Sequence, residues 1–202
     1  MTRRAIDVDV SELPDFAFGH RDTSWWGTLV FMLVEGTTLA VCLASYFYLR
    51  RNFADWPPPR DPLPAVWPTL VCWALALASL YPAQKAKEAA MEHDEGATTR
   101  WLVLTAALGV ALVAVRFVQF GHLGTRWDEH AYGSIVWMTM GLKFTIILTD
   151  VADTLVLMAI FLTGRAEDKH YVATDDNALY LKFTAVVIFV VDAVIVLSPR
   201  VI

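Results

Sequence analysis

Long apolar runs alternate along this chain with short polar interruptions. Five runs, 25–49, 65–84, 101–121, 132–162 and 178–198, reach the ~20 residues a helix needs to cross a ~30 Å hydrocarbon core. The first interruption, Arg50 to Pro62, contains Trp56-Pro57-Pro58-Pro59, whose rings lack donors and clash with a preceding turn, so it breaks any helix. Lys85 to Arg100 is charged and mixed in sign, His122 to His130 is short and polar, and Arg165 to Asn177 carries four acids and two bases. The pattern predicts an all-α integral membrane bundle of five transmembrane helices. Residues 1–24 form a tail, 25–202 one membrane domain, and the termini lie on opposite sides. Segment 4, at about 31 residues, would be ~46 Å long if wholly helical, so it must tilt or project from the membrane.

Composition supports that solvent: 56% of residues are hydrophobic and 18% charged, too apolar for a soluble domain of this size. The net charge of -5 is spread without a basic block, which excludes a nucleic-acid partner. Met1 to Asp9 turns acidic before any apolar run begins, unlike a cleavable signal peptide. Eight Lys and Arg fall on the side of the N-terminal tail and five on the other. The positive-inside rule therefore places the N-terminus in the cytoplasm. Trp25, Trp26, Trp56, Trp67, Trp101, Trp127 and Tyr132 mark segment ends, where amphipathic rings meet headgroups. Cys42 and Cys72 lie inside apolar runs without metal-ligand spacing, so simple burial is expected.

The informative residues are ionisable groups inside the spans. Glu35 lies ~15 Å in from Trp25, close to the midplane. Arg116, Lys143, Asp150, Asp153, Lys182 and Asp192 join it. Such groups face a bundle interior and find partners; the plain reading is that they pair and fix helix register, the sharper one that they line a proton or ion path. Depth suggests Glu35 with Lys143, Arg116 with Asp192, and Asp153 with Lys182. Thr139, Lys143, Asp150 and, roughly, Asp153 share one face of segment 4, which makes that helix a hub. Small residues, Ala74, Ala76, Ala78 and Ser79 in segment 2 with Gly109 and Ala111 in segment 3, permit close helix approach. The five histidines, His20, His93, His122, His130 and His170, lie in tails, loops or segment edges. Haem or copper within the bilayer needs imidazoles projecting from spans, so no catalytic residue, metal or cofactor is expected in this chain.

Several stretches resemble subunit III of haem-copper oxidases, in particular cytochrome c oxidase. They are Trp25-Trp26-Gly27 with Glu35 ten residues inside, Ser45 to Arg50 at the exit, Gln119 to Leu123, and Ala131 to Ser134 with Gly141. Five spans are similar to the short bacterial form. The departures are systematic. Arg116 and Gln119 stand where the family has Gln and Glu, Lys143 and Ile146 where it has two histidines, and Lys182 and Ala185 where it has His and Asp. These exchanges add fixed charge and mark a divergent branch. The resemblance implies a non-catalytic subunit of the bacterial inner membrane, packed against subunit I, which carries the haem and copper. It also implies support of proton uptake and tightly held phospholipid, with Trp25, Trp26, Arg50, Arg51 and Arg126 as contact candidates; an ordinary aromatic belt and snorkelling rim explains the same residues. Two alternatives stay open: the subunit III homologue that accompanies nitric oxide reductase, and an autonomous proton or ion carrier.

Overall fold

A computed structural model describes residues 16–201 of the chain. Five helices carry the apolar runs: α1 Thr23–Asn52, α2 Val66–Met91, α3 Glu95–Gly121, α4 Ala131–Leu162 and α5 Asp168–Asp192. All are long and apolar enough to cross a membrane, and the protein is a multi-pass membrane protein. Beyond α5 the chain continues through a π-helical turn, Ala193–Leu197, into Ser198–Val201. The tail expected for 1–24 lies outside the described residues up to position 15.

Two polar stretches read as connections prove to be largely helical. Lys85 to Met91 prolongs α2, Glu95 opens α3, and Asp168 to Asn177 forms the first turns of α5. Charge alone does not stop a helix; caps do. Asp94 accepts the Ala97 N–H at 2.9 Å, and His93 turns the chain at φ 53°. At α5 the Glu167 side chain and the His170 ring cap each other's backbone N–H groups. α2, α3 and α5 thus extend beyond their apolar cores.

α2, α3, α4 and α5 close a ring, each packed on the next and α5 back on α2, while α1 lies against α4 and α5. The α2 face turned into this ring is Thr69, Cys72, Ala76, Ser79, Ala83, Ala86 and Ala90, all buried. Their spacing alternates three and four residues. Small side chains at that period let α3 and α5 come close. Of the small residues expected at contacts, Ala76 and Ser79 are buried but Ala74 and Ala78 face outward. Gly109 of α3 lies where a Cβ would be 2.9 Å from Val151 of α4. Cys42 and Cys72 are free and buried, as expected.

α1 begins at Asp22, whose carboxylate accepts the N–H groups of Ser24 at 2.8 Å and Ala17 at 3.2 Å. The Ser24 N–H chiefly holds the Asp22 carboxyl below the ordinary carboxylate range. A depressed pKa places this stabilisation above the unfolded value and removes it as the pH falls through the folded one. Asp22→Ala should therefore lower stability by ~1 kcal/mol at neutral pH, with the difference from wild type vanishing in acid. Thermal unfolding of the two proteins in detergent at several pH values checks this.

Candidate functional site

The polar centre of the ring is built by α2, α3, α4 and α5. Arg116, Lys143 and Asp192 are each 0% exposed. The Arg116 guanidinium spans both Asp192 oxygens, at 3.3 and 3.2 Å, and also reaches the Gln119 carbonyl. Lys143 donates to Asp192 Oδ1 and touches Met140 Sδ at 3.0 Å. Gln119 Nε2 donates to Thr69 Oγ1 at 2.8 Å and to Asp192 Oδ1 at 3.3 Å. One carboxylate therefore holds two cations and an amide. The arrangement ties α2, α3, α4 and α5 into one register, which is what a buried ionic group achieves best.

Of the three expected pairs, Arg116 with Asp192 forms. The other two do not. Lys143 belongs to Asp192, and Glu35 accepts instead from the Tyr180 hydroxyl at 2.7 Å. Helix geometry explains the error: α1 lies along the Leu142, Thr145 and Ile146 side of α4, where Glu35 is found, while Lys143, Ile147 and Asp150 point into the ring. Lys182 is exposed and donates to Gln84 Oε1 at 3.0 Å rather than lying buried against Asp153. Asp153 is exposed and accepts from Asn177 at 2.9 Å. The buried stripe of α4 thus continues from Asp150 to Thr154, not to Asp153. Asp150 is 4% exposed, with Oδ1 lacking a hydrogen-bond partner.

The end of the bundle nearest the N-terminus carries contacts the sequence did not reveal. Asp175 accepts the Gly19 N–H at 3.0 Å and pairs with Lys87 at 2.6 Å. The Ser24 hydroxyl donates to Asp176. Residues 19–24 are thereby strapped across α2 and α5. Their signal was hidden because Asp175 and Asp176 read as part of a loop. Trp25 and Trp26 meet edge to face at 5.2 Å, and the Trp26 N–H donates to the His20 carbonyl at 2.9 Å.

At the far end, Trp56 stands between Tyr46 and Tyr132, with ring centroids 5.4 and 5.1 Å away. Tyr132 is 1% exposed, so it is a core residue and not part of the interfacial belt. Arg50 donates to Ser198 at 3.1 Å, and Arg51 is exposed. Arg126 is matched by Asp128 at 3.0 Å and Glu129 at 3.4 Å. Ligand atoms of Asp61, Glu129 and His130 lie within 4.8 Å of one another. A metal there does not fit the donor set. The Gly133 N–H donates to His130 Nδ1 at 3.0 Å, so the neutral ring keeps its proton on Nε2, the atom 2.8 Å from Asp61 Oδ2 but off the N–H direction. The first loop and the start of α4 meet at this contact.

No family model matches the chain. It is 22% identical to "Cytochrome c oxidase subunit 3" of Synechocystis over 69% of its own length and 61% of that protein. It is 30% identical to "Probable cytochrome c oxidase subunit 3" of Nocardia farcinica over 57% of its length and 58% of that protein. With "Cytochrome c oxidase subunit 3" of Thermostichus vulcanus it shares 24% identity over 63% of each chain. The matched region thus spans about three fifths of the curated relatives.

Proposed function

We propose that this chain, a divergent relative of the cytochrome c oxidase subunit 3 proteins, is the non-catalytic third subunit of a bacterial haem-copper oxidase. In this reading it spans the inner membrane with its N-terminus in the cytoplasm. It packs beside the catalytic subunit, prolongs that subunit's working life, supports proton uptake and holds phospholipid at its rims. The observation that carries the reading is the match to relatives of that name over more than half of the chain.

The placement of chemistry supports it. Every histidine sits at a helix end or in a connection: His20 in a short turn, His93 and His122 just past α2 and α3, His130 before α4, and His170 in the first turn of α5. None projects from the middle of a span, so the residues do not fit a haem or copper site. Arg116 and Lys143 share the one Asp192 carboxylate in a cluster shut off from solvent, with one positive charge left over; the enclosure favours a scaffold over an autonomous carrier. For phospholipid, Arg51, Trp25 and Trp26 are the better-placed candidates, because Arg126 is neutralised by Asp128 and Glu129 and Arg50 is engaged by Ser198.

Deleting this chain should leave the visible haem spectrum of the membranes nearly unchanged while oxidase activity decays faster over successive turnovers or in detergent. Spectra and activity time courses of deletion-strain membranes are the test. Loss of haem signal from complexes that otherwise assemble normally would overturn the reading. Retained activity with nitric oxide in place of oxygen would assign the partner to the nitric oxide reductase branch.

A further inference from the structure

Away from the closed central network, a second polar region opens sideways between α1, α4 and α5. A cleft of about 290 Å³ is lined by Thr28, Thr149, Asp153, Asp176, Asn177 and Tyr180. Deeper, a second pocket of about 170 Å³ holds Glu35 beside Thr38 and Thr145. The Tyr180–Glu35 hydrogen bond joins the two. Three carboxylates therefore face one groove, and among the described residues neither part is lined by a Lys, Arg or His. Nearby lysines are spent elsewhere: Lys87 on Asp175 and Lys182 on Gln84.

Asp176 shows which way the groove is aimed. The residue lines the cleft while only 9% exposed; its Oδ2 takes the Ser24 hydroxyl, and its buried Oδ1 has no donor among the described residues. A buried carboxylate oxygen without a partner is costly, the more so beside a membrane. Around the groove α1 presents Val30, Phe31, Leu33, Val34 and Val41 outward. What lies against this face must be apolar along its length and cationic at one level. An ethanolamine lipid carries such a cation too, and its acyl chains could follow the groove toward Glu35, ~15 Å inside Trp25, but it offers a single ammonium and an anionic phosphate beside it, which the carboxylates of Asp153 and Asp176 repel. A helix fills both levels.

We propose that the α1–α4 groove, with Asp153 and Asp176 at its mouth and Glu35 at its depth, is the docking site for a transmembrane helix of the catalytic partner that presents one Lys or Arg to these carboxylates. An Arg fits best, because its planar fork can meet two carboxylates at once. The inference rests on the accessory-subunit reading and names the surface it uses.

The test places a photoreactive benzoylphenylalanine at Thr149, an exposed position in the cleft, in the whole complex in native membranes. The expected product joins Thr149's position to a transmembrane segment of the haem-bearing subunit, within about one helical turn of a Lys or Arg. The same group at Leu104, exposed on α3, should not give it. Lipid adducts alone, a second copy of this chain, or a segment without a base would overturn the proposal. As a second reading of the same site, the pair Asp153→Asn and Asp176→Asn should lower haem protein recovered with the chain about tenfold, while Asp128→Asn changes it little. Unchanged recovery would overturn recognition by charge. If the unaltered chain brings down no haem protein at all, the accessory-subunit reading itself has failed; haem recovered with lipid adducts only refutes the groove alone.

Discussion

Asp192→Asn should destabilise the bundle by about 3–5 kcal/mol, because it leaves Arg116 and Lys143 as two uncompensated cations at 0% exposure. The side chain keeps its size, so packing is little changed; the loss combines the missing charge with an NH2 donor set against the donors of Arg116, Lys143 or Gln119. Removing a cation should be much milder. Lys143→Met leaves Arg116 and Asp192 as a neutral, doubly hydrogen-bonded pair beside Met140, and replacing a buried ionic group by an apolar one of similar volume is often neutral. Thermal aggregation midpoints of the purified variants in one detergent decide the matter. Equal losses from the two substitutions would show that the network does not act through its charge balance.

Gly133→Ala is the second large effect. A Cβ there would fall on the Arg126 backbone carbonyl and press on Thr125. The carbonyl cannot yield easily, because backbone has no alternative rotamer and the adjoining Thr125 O is held by the Trp137 N–H at 2.8 Å. His130 Nδ1 caps the Gly133 N–H, so a displaced helix start also moves the ring that lies against Asp61. We expect a loss of at least ~3 kcal/mol, the scale of severe overpacking, read as failure to accumulate folded chain in membranes. Gly141→Ala is the control, since a Cβ at that position meets nothing within 4 Å.

The helices were legible because hydropathy over twenty residues is a strong average, insensitive to any one side chain. Their ends were not, since Lys85 to Met91 and Asp168 to Asn177 are polar yet helical, stabilised by caps and by contacts between elements far apart in sequence. The same distinction runs through the charges. Depth along a span could be counted from the chain, and it brought Arg116 correctly to Asp192. Azimuth could not: Leu142 and Lys143 differ by one residue, but one faces the pocket of Glu35 and the other the ring interior. Tyr180 escaped notice as Glu35's partner because a neutral phenol carries no charge for a balance to find. Asp176 and Ser24, 152 residues apart, meet through a packing that no local pattern encodes.

The order in which the chain leaves the ribosome gives the central network a temporal meaning. Arg116 and Lys143 enter the membrane on α3 and α4, but their carboxylate arrives at the last residue of α5. Until then two cations lie in the hydrocarbon with only Gln119 and Met140 for company. α1, made first, waits as well, because the surfaces it packs on belong to α4 and α5. Insertion of the final helix thus completes both the ion cluster and the seat of the first helix in one event. A chain interrupted before Asp192 is a poor membrane guest, with Arg116 and Lys143 left without their carboxylate, and is open to recognition by proteases.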